Sequence, residues 1–124
     1  MKLHAQSAAG VSLFTAYGTD WFAIDGARHT GSLLVTPGLA VMAWGVTGFD
    51  ALVEDDFRRL LELEPELVLL GTGSRQRFPH PRLIAPLMER RVGLETMNNG
   101  AACRTYNILA GEGRRAVAAL LPDA

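Results

Sequence analysis

An alternation of short apolar runs and helical stripes in the last two-thirds of the chain most constrains its fold. Residues 67–70 are all leucine or valine, without polar alternation, which is typical of a strand covered on both faces. Residues 92–97 and 114–121 predict two more strands, and helices are predicted at 83–91 and 101–109. The order strand, helix, strand, helix, strand predicts parallel pairing with right-handed crossovers. The sequence therefore predicts an α/β protein.

The first third of the chain is predicted to be rich in β-structure. Residues 21–26 predict a strand that ends in a turn at Asp25-Gly26. Residues 33–36 and 39–44 predict two strands, and the Pro37-Gly38 dipeptide between them predicts a hairpin or a sharp corner.

Two helices are predicted in the middle of the chain. The apolar residues of the first fall on one face at helical spacing, and they are Val53, Phe57, Leu60 and Leu61. Pro65 ends this helix. The second stripe consists of Leu83, Ile84, Leu87 and Met88. Because Pro86 lies within that stripe and has no N–H, the second helix is predicted to be kinked or to have an irregular first turn.

Size and composition limit the possible functions. A chain of 124 residues fits one domain, taken here as residues 1–124, and 48% hydrophobic content supports a buried core. The net charge of −1 gives no electrostatic reason to expect nucleic acid or an acidic membrane as partner. The most apolar stretch, residues 33–46, is too short to cross a membrane, and residues 1–7 lack the apolar core of a secretory signal. We expect a soluble, cytoplasmic protein.

The residues that could carry chemistry follow two of the predicted strands. In open α/β sheets, ligands bind beyond the carboxyl ends of the strands. If the strands at 67–70 and 92–97 are adjacent and parallel, both following loops meet at one edge and form a small electropositive crevice. The candidate binding residues are Gly71, Thr72, Gly73, Arg75, Arg77, Asn98, Asn99, Gly100, Cys103 and Arg104. Arginine side chains and a helix N-terminus both favour an anion.

Specific cofactor motifs are not met. The first loop has Gln76 where a dinucleotide fingerprint needs its third glycine, and eight residues separate its glycines from the next helix. Ser74 lacks the flanking pattern of a nucleophile elbow. The histidines His4, His29 and His80 are too scattered to predict a metal site. We expect no cofactor and no metal, and a tight exit from a buried strand remains the simplest interpretation of Gly71-Thr72-Gly73.

Cys103 leaves two interpretations open. As the only cysteine it excludes an internal disulfide and favours a reducing compartment. A thiol near a helix start and beside Arg104 has the setting of a reactive cysteine, with His80 as the candidate base. The adjacent Ala101 and Ala102 instead predict a helix packed closely against a sheet, with a buried thiol.

Several stretches together resemble the Mth-like domain family, a widespread group known as domain of unknown function 498. They are residues 67–73, Arg77-Phe78-Pro79, Glu95-Thr96-Met97 and residues 100–107. The resemblance implies a three-layer α/β fold with a central mixed five-stranded sheet flanked by helices, one strand running against the rest, and additional N-terminal β-hairpin structure. Eukaryotic members of this family include a mitochondrial respiratory complex I assembly factor that acts by binding other assembly proteins.

The resemblance implies no reaction, cofactor or catalytic residue. The usual family pattern before the third helix is Met-Asp-Thr-Gly, whereas this chain has Met97-Asn98-Asn99-Gly100. The change removes the only carboxylate from that junction, so it weakens an acid/base role. Two hypotheses stay open: a non-catalytic interaction or assembly module with a protein partner, and a small-anion-binding domain or enzyme that uses the two loops.

Overall fold

The computed structural model describes residues 1, 3 and 11–123. His4 and most of the N-terminal stretch considered as a secretory signal lie outside the described residues. The described chain contains eight strands and three α-helices, with 3-10 turns at Phe49–Ala51 and Arg59–Leu63. In chain order the elements are β1 Phe14–Gly18, β2 Trp21–Ile24, β3 Ala27–His29, β4 Leu33–Val35, β5 Met42–Ala43, α1 Glu54–Arg58, β6 Leu67–Gly71, α2 Ala85–Glu89, β7 Gly93–Met97, α3 Asn99–Gly111 and β8 Ala116–Leu120.

The central sheet has five strands in the order β5-β4-β8-β6-β7. Strand β6 is parallel to both of its neighbours, and Leu69 pairs with Glu95 of β7 on one side and with Ala118 of β8 on the other. The parallel pairing predicted from the strand–helix alternation is therefore confirmed. Strand β4 is antiparallel to β8 and to β5, so within this sheet it is the one strand that runs against the rest. The mixed sheet implied by the family resemblance is confirmed.

Helices cover both faces of this sheet because its central strands are apolar on both faces. All five residues of β8 are buried. Side chains of β6 alternate between two cores: Leu69 lies in the core beneath α3, whereas Val68 and Leu70 lie in the core with Phe57 and Leu87 on the side of α1 and α2. Helices, sheet and helix thus form the three layers of the fold.

A separate three-stranded antiparallel sheet, in the order β1-β2-β3, covers α3. The predicted Asp25-Gly26 turn joins β2 to β3, with positive φ angles of 51° and 86°. The Phe14 ring meets the Tyr106 ring of α3 edge-on, with 5.3 Å between centroids. The amide of Asn107 accepts from Phe14 N–H at 2.9 Å and donates to Phe14 O at 2.8 Å. This sheet is the additional N-terminal β-structure.

Several predicted element bounds differ from the structure, and three of the differences have a local cause. The strand predicted at 39–44 is reduced to Met42–Ala43, because Leu39 N–H donates to Thr36 O within the turn that contains Pro37-Gly38. Helix α2 is only Ala85–Glu89, with Pro86 in its first turn, where a missing N–H costs little. Helix α3 begins at Asn99, two residues before the predicted start, because Asn98 caps it.

Candidate functional site

The two candidate loops meet at one edge of the sheet, because β6 and β7 are adjacent and parallel. They also bind each other directly. Gly73 N–H donates to Asn99 Oδ1 at 3.1 Å, and Asn99 N–H donates to Gly73 O at 2.8 Å. Thr72 N–H donates to Met97 O at 3.0 Å, which extends the β6–β7 ladder by one hydrogen bond. The two junctions are therefore a single joined structure.

The Asn99 side chain connects three segments. Its Oδ1 accepts from Gly73, and its Nδ2 donates to Leu121 O at 2.8 Å, just after β8. Leu121 N–H in turn donates to Gly71 O at 2.9 Å. We call these hydrogen bonds among Gly71, Gly73, Asn99 and Leu121 the clasp. Because both ends of the amide already have backbone partners, Asn99 acts mainly as a structural link.

The glycines of the junctions are required by close approach and backbone angle. A Cβ on Gly71 would overlap Asn99 Oδ1 and lie 2.6 Å from Leu120 Cδ2. Gly73 has a φ of +90°, which residues with side chains rarely adopt. A Cβ on Gly100 would lie 2.8 Å from Tyr17 Oη. The tight exit from a buried strand, given above as the simplest interpretation of residues 71–73, matches this geometry.

Asn98 begins α3. Its Oδ1 accepts from Ala101 N–H at 2.8 Å, and its carbonyl accepts from Ala102 N–H at 3.0 Å. This is the usual bonding of an asparagine N-cap. Asn98 also lines a cavity, so the residue that caps the helix lies at the opening. The Asn99 side chain thus bonds to two other segments of the chain, whereas the Asn98 side chain bonds only to its own helix.

A cavity of about 570 Å³ opens between the junctions and the β1–β2 turn. We call it the crevice. Its lining comprises Met1, Tyr17, Gly18, Thr19, Gly73, Ser74, Asn98, Asn99, Gly100 and Arg104. Arg104 Nη1 donates to Tyr17 Oη at 2.6 Å, which holds the guanidinium at the cavity wall. Sequence reasoning missed the β1–β2 contribution, because no local pattern indicates that Tyr17 contacts a residue 87 positions away.

Arg75 and Arg77 line a different cavity of about 150 Å³, with Phe49, Asp50, Thr72, Pro122 and Asp123. Arg77 Nη2 lies 2.8 Å from Asp50 Oδ1, and its guanidinium carbon lies 4.0 Å from the centroid of the Phe49 ring. Thr72 holds this loop, since its Oγ1 donates to Arg75 O at 2.7 Å and accepts from Arg77 N–H at 3.0 Å. Of the predicted cations, the structure brings only Arg104 to the crevice.

Cys103 does not line the crevice, although it lies in the first turns of α3. It is fully buried in the core with Ala102 and Tyr106. Burial raises the pKa of the Cys103 thiol to about 12, while the nearby charge of Arg104 acts weakly in the opposite direction. His80, the proposed base, is exposed, and its Nδ1 accepts from Arg82 N–H at 3.0 Å. The inclusion of Cys103 among surface site residues is therefore corrected: its thiol belongs to the core.

Two further features are absent from the described residues. No group of three or more histidine, cysteine, aspartate or glutamate side chains within residues 1, 3 and 11–123 has an arrangement that could hold a metal ion. Across the same residues, no helix is both long and apolar enough to cross a membrane.

Comparison with known proteins connects this geometry to a family. The family model described as "Protein of unknown function (DUF498/DUF598)" matches residues 14–121. NADH dehydrogenase (ubiquinone) 1 alpha subcomplex assembly factor 3 of Mus musculus is 33% identical over 109 residues, which cover 86% of this chain and 58% of that relative. The chain thus spans less than two-thirds of the length of this relative.

Solved structures agree with the sequence comparisons. The crystal structure of a protein from Bordetella parapertussis has a TM-score of 0.87 and 37% identity, and the match covers 94% of this chain and all of that chain. A solution structure from Bordetella pertussis, described as a Mth938-like domain, has a TM-score of 0.83 and 32% identity over 100% of this chain and 94% of that chain. The predicted resemblance is confirmed, and the chain belongs to the DUF498/DUF598 family with a Mth938-like fold.

Proposed function

We propose that this chain is a non-catalytic protein-interaction module that takes part in assembling a larger protein complex. The observation that carries this proposal is the 33% identity to a relative named as an assembly factor for an NADH dehydrogenase subcomplex. Since the chain spans 58% of that relative, the likeness supports a role for the shared domain only. Subunits of respiratory complex I, or other membrane proteins under assembly, are the first partners to test.

The use of the candidate chemical groups within the fold supports a non-catalytic role. The only thiol is buried and protonated, Arg77 is paired with Asp50, and the Asn99 amide is bound at both ends. Asn99 and Cys103 lie in α3, where their side chains stabilise the fold, and Arg77 is held in the loop after β6 by its ion pair. Each group therefore already has a structural partner or a place in the core, which supports a non-catalytic role.

An exposed aromatic residue supports a binding role. The Phe78 side chain is 75% exposed, the highest value among the large hydrophobic residues that the structure describes. Aromatic side chains, phenylalanine among them, are enriched in protein interfaces relative to the rest of the protein surface. Phe78 lies in the loop that follows β6, next to the edge of the sheet.

Affinity capture from native cells tests the proposal. The tagged wild-type chain is expected to recover the same protein partner in repeated captures, and Phe78→Ser is expected to lose it. Leu39→Ser is the matched control, because Leu39 is also an exposed apolar residue, in the β4–β5 turn. If the wild-type chain is recovered alone in every capture, the proposed function is wrong.

We propose a small-anion site as the second candidate function. Its support is the crevice, where Arg104 and the N-terminus of α3 face one cavity of about 570 Å³. In a thermal-shift screen of phosphate, sulfate and carboxylates, an anion at about a hundred times its dissociation constant adds about 2.7 kcal/mol of stability. Arg104→Ala should remove the shift, and Arg75→Ala, which alters the other cavity, should retain it. No shift in the wild type, or an unchanged shift in Arg104→Ala, excludes this site.

We also propose that the protein acts in the cytoplasm. The support is that its single cysteine is a buried free thiol, as suits a reducing compartment. Cell fractionation with detection of the native chain tests this location, and recovery only in a membrane or extracellular fraction would contradict it.

A further inference from the structure

Strand β7 is an edge of the five-stranded sheet. Within residues 1, 3 and 11–123, β6 pairs with one side of β7 and no strand pairs with the other. Met97 O accepts from Thr72 on the β6 side. Because backbone groups alternate along a parallel strand, Gly93, Glu95 and Met97 hydrogen-bond toward β6, whereas Leu94 and Thr96 present their N–H and C=O groups on the open side.

The Gln76 side chain marks the open side of β7. Its Nε2 donates to Thr96 O at 2.7 Å and lies 3.4 Å from Thr96 Oγ1. An amide N–H in this position replaces the backbone N–H that a further strand would supply. Gln76 is exposed and belongs to a loop, so its amide can be displaced by the backbone of an incoming chain.

An apolar groove of about 380 Å³ runs beside this edge. We call it the edge groove. It is lined by Gln76, Phe78, Pro79, Ile84, Leu94, Glu95, Thr96 and Met97. Leu94 and Ile84 belong to the core on the α2 side, so the apolar part of the edge groove lies on that face of the sheet. An incoming strand would place every second side chain against it.

The negative charge of Glu95, at the centre of β7, favours a different protein over a second copy of this chain as the partner of the open edge. Glu95 is exposed, and the structure gives it no ion-pair partner among the described residues. A second copy that paired antiparallel with all of Gly93–Met97 would place Glu95 opposite its own counterpart, and like charges directly opposite each other are destabilising. A lysine or arginine at the same position of a different chain would be attracted instead.

We propose that the open edge of β7 binds an extended segment of a partner protein as an added strand, with apolar side chains in the edge groove and a lysine or arginine opposite Glu95. The inference rests on the proposed function and specifies the partner segment that it requires. Main-chain hydrogen bonds to Leu94 and Thr96 provide the attachment, and the alternation of apolar and basic side chains provides the specificity.

Selection from a displayed library of short random peptides tests the inference with a defined probe. The wild-type chain is expected to enrich peptides in which a basic residue is flanked by apolar residues at alternating positions. Thr96→Pro removes an outward N–H without breaking the ladder to β6, so it should weaken the selected peptides about tenfold or more. Glu95→Lys should change the central preference from basic to acidic.

Gln76→Ala provides a second test of the same strand edge in case Thr96→Pro does not fold. Removing an exposed side chain that competes for Thr96 O should leave the fold intact and tighten peptide binding several-fold. In a bound strand, every second backbone N–H of the selected peptide points toward β7 and the others point away from it. N-methylation of the first set should therefore abolish binding, and N-methylation of the second set should leave it unchanged. Failure to enrich any alternating peptide, or equal binding to wild type and Thr96→Pro, overturns the inference. Dimerisation of the wild type that Thr96→Pro abolishes would also overturn it, in favour of a second copy.

Affinity capture separates failure of this inference from failure of the proposed function. If wild type and Thr96→Pro recover the same partner in equal amounts, the module binds proteins through another surface and only the edge assignment is wrong. If neither the wild type nor Gln76→Ala ever recovers a partner, the proposed function itself is wrong.

Discussion

The clasp and the open edge of β7 lie on two borders of the same sheet. Backbone groups are hydrogen-bonded within the protein at the clasp, whereas several are left without a backbone partner along the open edge, within the part of the chain that the structure describes. At the clasp, the backbone groups of Gly71, Gly73 and Leu121 are bound by one another or by the Asn99 amide. Along the open edge, Leu94 and Thr96 present backbone groups outward, and the only protein donor found there among the described residues is the Gln76 amide.

The comparison shows that the most unusual stretches of sequence are not the ones that leave backbone groups exposed. Glycines and asparagines concentrate where three segments must approach closely, and their polar groups are consumed by that approach. The open edge is built from ordinary strand residues, so nothing in its composition draws attention to it. The unusual residues here indicate how the chain is held together, and the strand edge that has no partner among the described residues lies beside them.

The largest expected effect comes from breaking the clasp at Gly71. A Cβ there overlaps Asn99 Oδ1 and lies 2.6 Å from Leu120 Cδ2, so Gly71→Ala should lower the free energy of unfolding by about 3 kcal/mol. Urea denaturation measures the change. Gly111→Ala is the control, because a Cβ at Gly111, within α3, meets no atom within 4 Å and should be neutral or slightly stabilising. Equal stability of the two variants would show that the clasp is loose.

Removal of the Asn99 amide should have the next largest effect. Asn99→Ala leaves Gly73 N–H and Leu121 O without their partner and should cost about 2 kcal/mol of unfolding free energy. Asn98→Ala removes only the cap of α3 and should cost about 1 kcal/mol. Denaturant curves of both variants measure the two costs. A greater loss in Asn98→Ala would reverse the structural ranking of the two asparagines.

The pH dependence of stability tests the burial of the Cys103 thiol. Burial raises the pKa of Cys103 to about 12, whereas the unfolded thiol titrates near about 8.5. The unfolded state therefore loses its proton first, and stability that is fully present at pH 7 should fall as the pH rises above the unfolded pKa, by about 1.4 kcal/mol at pH 9.5. Urea curves at the two pH values measure this loss. In Cys103→Ala the pH-dependent part should be smaller by that amount, and an unchanged slope would indicate a thiol open to solvent.

The smallest expected effect on stability belongs to the open edge. Phe78→Ser should change the free energy of unfolding by less than about 0.5 kcal/mol, because the Phe78 side chain is mostly in water already. Thermal and urea unfolding of wild type and variant measure the difference. A loss comparable to that of Asn99→Ala would mean that Phe78 is part of the fold, and the contrast between the two borders would fail.

Much of the fold was predictable because it follows from periodicity. The buried run at 67–70, the turn at Asp25-Gly26 and the parallel pairing of β6, β7 and β8 all follow from local patterns. The position of β4 next to β8 was not predictable, because β4 has only three residues and nothing in them indicates which distant strand they pair with. The antiparallel strand entered only through family resemblance.

The candidate site was predictable in position and less so in composition. Adjacent parallel strands bring residues 71–73 and 98–100 together, as expected from the strand order. The direction of a loop side chain depends on contacts distant in sequence, such as the ion pair that Arg77 forms with Asp50. The depth of Cys103 depends on how α3 lies on β8, and the contribution of Tyr17 depends on a sheet that folds over α3. None of these is encoded in a local pattern.

The position of β8 has a consequence for how the chain folds as it is synthesised. Of the described strands, β8 comes latest in the sequence, and it joins β4 on one side to β6 on the other. Until it emerges, the first five strands and the β6–β7 pair have no shared ladder, and both leave apolar surface uncovered. Closure of the sheet is therefore a late step that unites distant parts of the sequence, a topology that favours slow folding and exposure to chaperones.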